Sequence, residues 1–549
     1  MSIAPRSGSK WLSQTVTGLL ERFGSPPREP THFPDACQTS ALLALPDDVL
    51  LLVFALIAED DLLACKQVCR SLSHLVQTDL RCQYRIELAV NGMVDGPPSA
   101  VAMPDRLEQL RTHRARLHDT PFSCDEGAWA TVEGRVQVLA SDGTVVYAMR
   151  RSQGGYNLDI RTTPSAKVTA GVESYCLSVE MGEDSHIETM DTSQNLLVVS
   201  EAVNDSWEIM IHMLDLTSGQ PHPAAAEPVI HTISEGRPFL VQVHREYAAW
   251  LVWAPGLTRR EAEIWDWKAN RLVWRHHFRP QISFAFLDTS HILVTSGRQE
   301  VMDVFRFDDP AYDPSQDVDP KPLLTMELPL GAFRCSVHHD ERSRLHTSSP
   351  PSDAPFCPDP MLSVIAVRFA IYATGTELAN ALLLVPRATF YKQIEAAYGS
   401  SASEPEHRVF WHEWGPIGGL LLNLSGPEII PRVACSPCGS RFALLVRDRW
   451  KAGQAQVVVF DVNPWAAREA KNGGKAGGSL TVIKDTSGFR FRTLRASVPH
   501  VAYMGPRLSF PKEHKPTFVT MNQDGFTVQH EWKPPYQERI GFGYQTFFI

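Results

Sequence analysis

The sequence predicts a mainly β chain with a small α-helical N-terminal domain, its β part closing as a β-propeller of seven blades, within a range of six to eight. Three observations lead there. Apolar residues recur every three or four positions over residues 45–75, the period of helices with one buried face. That period is not sustained after about residue 125, where short apolar runs alternate with polar, Gly- and Pro-containing turns. One strand–loop–strand pattern then returns about seven times, spaced by about 45 to 80 residues.

Residues 1–40 come first. The stretches MSIAPRSGSK and GSPPREPTHFPD are Ser/Pro-rich and predict a disordered tail. Between them Leu12, Val16, Leu19, Leu20 and Phe23 line one helical face, so a short amphipathic helix is expected there. Arg6 and Lys10, with no acid before Glu21, would suit a mitochondrial presequence; the Pro-rich stretch that follows favours a tail or a partner-binding helix.

The segment LPDDVLLLVFALIAEDDLLACKQVCRSLSHL, Leu45 to Leu75, reads as two helices. Pro46 suits the first turn of a helix, where its missing N–H costs nothing. Val49, Leu50, Val53, Phe54, Leu56 and Ile57 follow at helical spacing, and Asp60 or Asp61 is placed to cap a second helix carrying Leu62, Cys65, Val68, Cys69, Leu72 and Leu75. Lys66, Gln67, Arg70, Ser71 and His74 stay polar. Two stripes this short cannot bury each other, so the unit needs further helices or a partner to cover it.

This stretch resembles an F-box, on Leu45, Pro46, Val49, Val53, Leu62, Val68, Cys69, Arg70 and Leu75. It departs where position 72, often tryptophan, is Leu, and where position 48, often Glu, is Asp. The resemblance implies a docking surface without chemistry of its own, binding the Skp-type adaptor of a cullin-RING ubiquitin ligase. The expected adaptor-binding residues are Leu45, Pro46, Val49, Val53, Phe54, Leu62, Cys65, Val68, Cys69, Arg70 and Leu75.

Helical character continues through LRCQYRIELAVNGMVDG, with Leu80, Tyr84, Ile86 and Leu88 as core positions and Asn91-Gly92 as a stop. In DRLEQLRTHRARL, Asp105 and Glu108 are spaced as a capping box and Leu107, Leu110 and Leu117 form a third stripe. With these segments, the region is similar to the one following the F-box in large F-box proteins of mushroom-forming fungi. Residues 41–120 are thus expected to form one helical domain of F-box and linker, followed by a propeller-like domain over 125–549.

Composition narrows the function classes. The 549 residues are 43% hydrophobic and 21% charged, as in ordinary globular proteins, with a net charge of −10 and no Lys/Arg run. A nucleic-acid or anionic-membrane surface would need clustered positive charge, so neither partner is expected. Apolar runs such as LSVIAVRFAIYA are far shorter than the roughly 20 residues that span a bilayer. Ten scattered cysteines without framework spacing, and no secretory apolar region, point to the cytosol or nucleus.

The repeated pattern is clearest in NLLVVSEAVNDSWEIMIHMLDLTSG, AAWLVWAPGLTRREAEIWDWKANRLVW, HILVTSGRQEVMDVFRFDDP and RFALLVRDRWKAGQAQVVVFDVNPW. Weaker copies are RVQVLASDGTVVYAMRR, LSVIAVRFAIYATGTELANALLLVP and TFVTMNQDGFTVQHEW. A four-stranded blade buries its faces only against neighbouring blades, which favours a closed ring; a pair of β-sandwiches is the alternative. Locally, Trp265-Asp266 at a strand end and SPCGSRFALLV (Ser436 to Val446) resemble WD-type repeats. DDPAYDPSQDVDPKP (308–322) and HHDERSRLHTSSPPSDAPFCPDP (338–360) interrupt the pattern as long, potentially mobile surface loops.

Chemical motifs fail one by one. The acidic loop 308–322 lacks the central Gly and terminal Glu of an EF-hand. Cys435-Ser-Pro-Cys438 has no second pair to complete a zinc site and reads as a turn. His276-His277 and His338-His339 are adjacent residues, which on strands face opposite ways. NGGKAGGS (472–479) lacks the P-loop Gly-Lys-Ser/Thr, and G-x-S-x-G and H-E-x-x-H are missing. Asn204 and Asn423 lie in glycosylation sequons, without meaning unless the chain is secreted. No catalytic, cofactor or metal residue is expected, although a propeller can gather catalytic groups from distant blades.

The expectation is a non-catalytic substrate receptor: F-box on the Skp-type adaptor and cullin, propeller on an unknown protein target. The alternatives are a propeller scaffold or sensor acting outside a ligase and, more remotely, a propeller enzyme. Tryptophans such as Trp207, Trp253, Trp265, Trp267, Trp411, Trp414 and Trp450 suit either target anchors or blade core, core being favoured.

Overall fold

In the computed structural model the described residues are 42–96, 101–119, 122–130, 136–141, 144–151, 154–162, 173–203, 208–232, 236–253, 260–278, 282–296, 300–316, 318–329, 332–339, 355–372, 378–399, 407–424, 434–447, 454–471, 481–482, 498–510, 514–522, 525–532 and 541–548. The tail 1–40, Trp207, Asn204 and the loop 472–479 therefore lie outside them. Two compact units result: Met1–Asn91 with Pro98–Thr112, and Gly92–Pro97 with His113–Ile549. The expected helical stretch 41–120 contributes to both, since Met93–Asp95 is a strand paired with Phe356–Pro358 in the second.

The first unit carries α1 (Asp47–Leu56), α2 (Glu59–Val68), α3 (Arg70–Thr78), α4 (Leu80–Asn91) and the start of α5 (Met103–Asp119). Three local expectations are corrected. The predicted second helix is two, because Cys69 is fully extended at φ −156 and ψ 165 and breaks the path between Val68 and Arg70. Pro46 precedes α1 as its N-cap residue, while Ala58 occupies that place in α2, leaving Glu59, Asp60 and Asp61 in the first turn, where their charges oppose the helix dipole's positive end. α5 starts at Met103, so Asp105 sits inside its first turn and not at the expected N-cap. Asn91 does end α4, with Gly92 following at φ +65. The unit's core is Leu50, Phe54, Leu62, Leu72, Val76 and Cys82.

The second unit is a β-propeller of sheets that are antiparallel except for two short parallel edge pairs, Leu324–Met326 with His407–Val409 and Ala434–Ser436 with Phe518–Thr520. Among the described residues six blades are built from nearby chain, the fourth also taking His407–Val409 as an edge strand. Their first strands are Val136–Ser141, Ser185–Asp191, Arg237–His244, Ile282–Phe286, Ala332–His339 and Arg441–Arg447. The remaining sheet is composite: Ser123–Ala130 joins Gly541–Phe548, Gly525–Trp532, Lys515–Asn522 and Ala434–Ser436. The expectation of seven like blades is thus corrected to six local blades and one closing sheet made from both ends of the unit. TFVTMNQDGFTVQHEW, read as a seventh repeat, supplies two strands of that closing sheet.

Why the sheets stack this way is visible along one strand. In Leu196–Ala202, Leu196 and Val198 enter the core toward the following blade, while Leu197 and Val199 enter the core toward the preceding one. Strand period two thus makes both faces apolar, as a sheet sandwiched between neighbours requires. Ala248, Trp250 and Val252 against Ala249 and Leu251 repeat the arrangement one blade on. The β-sandwich alternative fails here, because successive sheets share one core after another, from the sheet holding Val146 through to the composite sheet holding Val528. Trp250, Trp267, Trp274 and Trp414 are fully buried, so these are core. Gly155, at φ +74, has room for no Cβ: one would lie 2.3 Å from the Val179 carbonyl oxygen.

Three helices interrupt the strands: α6 (Arg387–Gly399), α7 (Trp411–Gly418) and α8 (Pro464–Lys471). The described part of loop 308–322 is fastened down, which corrects the expectation of a mobile loop. Tyr312 donates to the Arg275 carbonyl at 2.5 Å, and Asp319 accepts from the His277 N–H at 3.0 Å. The His276 and His277 Nδ1 atoms lie 2.8 and 3.2 Å from the same Asp319 oxygen. The neighbouring rings therefore converge where alternation predicted divergence, drawn together by one carboxylate. Among the described residues no group of His, Cys, Asp and Glu is arranged to hold a metal ion.

Candidate partner-binding site

α1 is apolar nearly all round, and a helix of that kind needs cover on every side. Its inward side supplies Leu50 and Phe54, with Leu51 and Ile57 partly buried against the same core. Its outward side carries Val49, Leu52 and Leu56 at steps of three and four residues, exposed at 39%, 66% and 72%, and Leu45, just before the helix, is 38% exposed. Val68, at the end of α2, is 61% exposed. Leu42 and Leu43 are exposed as well.

The expected binding residues thus separate. Leu45, Pro46, Val49, Val68 and Arg70 are exposed; Val53, Cys65, Cys69 and Leu75 are partly buried; Phe54 and Leu62 are core. Burial of Phe54 and Leu62 removes them from any direct contact and gives them the task of holding α1 and α2 in place. Leu52 was missed, because one helical stripe was sought and α1 has two. Its signal was present as an uninterrupted apolar run, Val49 to Ile57.

Arg85 was missed altogether. From α4 its guanidinium donates to the Phe54 and Ile57 carbonyls, each at 2.6 Å, and to Glu59 Oε1 at 2.7 Å. It satisfies carbonyls left open at the end of α1 and ties them to the start of α2. Asp79 accepts the Cys82 N–H at 2.9 Å, an N-cap for α4. On the α5 side, Arg111 donates to Gln83 Oε1 at 2.7 Å.

The thiols here are not poised for chemistry. Burial, with Asp61 adding to it, pushes the Cys65 thiol up; burial and the Asp79 hydrogen bond push Cys82 up to about 12. A thiol held protonated is a poor nucleophile and metal ligand. The surface offers apolar contact, framed by acids at the starts of both helices.

Comparison with known proteins agrees with this local picture. Residues 42–84 match the F-box-like family. No curated protein matches the chain. Among solved structures the chain is similar to the β-propeller domain of the Trilobed protease from Pyrococcus furiosus, at 8% identity and TM-score 0.37, covering 76% of this chain and 93% of that one. It is also similar to the WD40 domain of SCAP from fission yeast, at 9% identity and TM-score 0.32, covering 79% and 96%. The chain joins a small helical module to a β-propeller. That module is an F-box-like domain.

Among the described residues, no helix is long and apolar enough to cross a membrane.

Proposed function

We propose that this chain is a substrate-receptor subunit of an SCF-type cullin-RING ubiquitin ligase, docking on the Skp-type adaptor through the outward face of α1 and the end of α2, and holding a target protein on its propeller. The observation that carries this reading is the exposed stripe of Val49, Leu52 and Leu56 on α1, with Leu45 exposed just before it, in an F-box-like domain. Apolar side chains backed by a packed core make the anchor-and-pocket contacts that dominate interface energies. Pro46 and Arg70 are exposed as well. The chain does no chemistry in this reading. It raises the effective concentration of target lysines beside the conjugating enzyme. Such a receptor works in the cytosol or nucleus, where its thiols stay reduced.

The test is binding of the full chain to purified adaptor, then to adaptor with cullin, beside Leu52→Asp and Val68→Asp variants. Both positions are exposed, so the substitutions leave the core intact. Each is expected to weaken adaptor binding by at least about 30-fold, the effect of losing an anchor worth about 2 kcal/mol. Adaptor binding without cullin recruitment would favour a scaffold acting outside a ligase; no adaptor binding by the unaltered chain would end the reading.

A further inference from the structure

We infer that the outer edge of the third blade, Arg271–Phe278, is a docking site for an extended acidic segment of a partner protein, which joins the blade as a fifth strand, and that Tyr312 and Asp319 hold this edge in its absence. That the partner is a target for ubiquitin transfer rests on the receptor reading above; the site does not.

Arg271–Phe278 is the last strand of its four-stranded sheet, and among the described residues no strand pairs beyond it. Such an edge carries a row of backbone N–H and C=O groups that pair readily with another chain. The fourth blade shows what an outer edge in this ring accepts, since His407–Val409 lies parallel to Leu324–Met326 there as a fifth strand. The third blade receives side chains instead. The Tyr312 hydroxyl donates to the Arg275 carbonyl at 2.5 Å, and Asp319 Oδ1 accepts the His277 N–H at 3.0 Å. One residue of a parallel strand makes this same pair of bonds, its N–H to one carbonyl and its C=O to the N–H two residues on. The loop that brings the two side chains cannot supply that strand itself, because Pro310, Pro314, Pro320 and Pro322 have no N–H to give a ladder.

The chemistry of the occupant is read from Asp319. The Nδ1 atoms of His276 and His277 lie 2.8 and 3.2 Å from the same oxygen that accepts the His277 N–H, so three polar groups converge on one carboxylate. Burial opposes the charge, yet the His277 N–H and the two imidazoles hold the Asp319 carboxyl below the ordinary carboxylate range. Glu261 does not fill this notch: it is paired with Arg275 and lies 3.6 Å from the far nitrogen of His277, where it orients the ring. The plug is shallow. Asp319 is 47% exposed and Val318 beside it 65% exposed, while Tyr312 is fastened against the core that the third and fourth blades share. An incoming strand with a carboxylate at the matching position satisfies the same donors and adds a backbone ladder that the loop lacks, the mode by which sheet edges capture extended peptides.

The test uses the full chain and a Tyr312→Phe, Asp319→Ala variant, which keeps the ring against the core and removes only the two polar groups on the edge. Both are offered short random peptides with a fixed central aspartate, beside a set with a fixed central asparagine; captured peptides are measured by mass spectrometry, with hydrogen exchange of the Arg271–Phe278 amides as the second readout. The variant is expected to capture the aspartate set at least about 10-fold better than the unaltered chain and about 5-fold better than the asparagine set, the effect of one charge-assisted contact. Bound peptide should slow exchange of the His277 amide, and N-methylation at alternate residues of a captured peptide should abolish binding in one register and spare it in the other. Equal capture by the two chains overturns the proposal, as does capture that leaves exchange along Arg271–Phe278 unchanged. Equal capture of the two peptide sets overturns the acidic occupant. Protection of the strand that appears without peptide and fades on dilution assigns the edge to a second copy and overturns the peptide. No readout involves the adaptor, so a failure here leaves the receptor reading standing, and a chain that binds no adaptor can still pass.

Discussion

Replacing Arg85 by Ala should loosen the F-box-like domain while leaving the propeller folded. Its guanidinium makes hydrogen bonds to the Phe54 and Ile57 carbonyls and to the Glu59 carboxylate. Charge-assisted bonds contribute about 1.5–3 kcal/mol each when dry. Arg85 is about a quarter exposed and Glu59 more so, so water replaces part of what is lost and the ion pair adds little. The two carbonyls dominate, giving a net cost of about 2–3 kcal/mol for the substitution. That is a large share of the roughly 3–10 kcal/mol available to a unit of about 70 residues. Hydrogen exchange by mass spectrometry reads it directly: a loss of about 2.5 kcal/mol speeds exchange across α1 and α2 about 70-fold. Peptides from Leu196–Ala202 should not change. Arg85→Lys, which keeps one donor and loses the fork, should fall between the two. If Arg85→Ala changes exchange in α1 by less than about 3-fold, the clasp between α1 and α2 is not what holds the outward stripe in register, and the argument built on it fails.

Other consequences follow from the same packing. Leu62→Ala, at a fully buried position in that core, should cost about 2–5 kcal/mol and abolish partner binding by unfolding the unit, seen as loss of helical circular dichroism. Asp79→Ala removes the α4 cap and should cost about 1 kcal/mol in chemical denaturation. Propeller stability should fall in acid. His244, stacked on Phe286 at 5.6 Å, is pushed down to about 3, by burial first and then by Arg387 and Arg245; His530 is pushed down to about 4 by burial and His514. Both stay neutral in the fold while the unfolded chain protonates them near pH 6.5, so their contribution is complete above that pH. It is lost as pH falls toward 4 and then 3, by about 1.4 kcal/mol per histidine per unit. Urea midpoints at pH 7.5, 6 and 5 should descend, and His530→Gln should flatten the descent.

Much of the architecture was legible because helix and strand periods differ. The stripes over residues 45–75 and the recurring strand pairs were visible as repeats of different spacing, and the buried Leu50, Phe54, Leu62 and Leu72 fall on the expected positions. What escaped was of two kinds. The break at Cys69 has no Gly or Pro to announce it; it arises because α2 and α3 must turn to share one small core, a demand of packing and not of local preference. α6 was hidden because its helical signal, Phe390 and Ile394 four residues apart, is short and follows directly on the apolar strand Leu378–Pro386. At the site, the apolar residues were found but their two faces were not told apart. Sequence marks Val49 and Phe54 alike as apolar; only the fold shows one exposed and the other buried. The role of Arg85 depends on contact across 26 to 31 residues, which spacing along the chain does not encode.

The strand Ser123–Ala130 pairs with Gly541–Phe548 through eight residues, from Ser123 with Phe548 to Ala130 with Gly541. On a ribosome these partners emerge far apart in time. At about 5–20 residues per second, the roughly 400 residues between them take about 20–80 s to make. Throughout that interval the first strand has no mate and an open edge faces the crowded cell. A nascent chain of this design therefore carries Ser123–Ala130 without its mate until Gly541–Phe548 has been made, and loss of that later strand would leave the composite sheet without the link between its two ends.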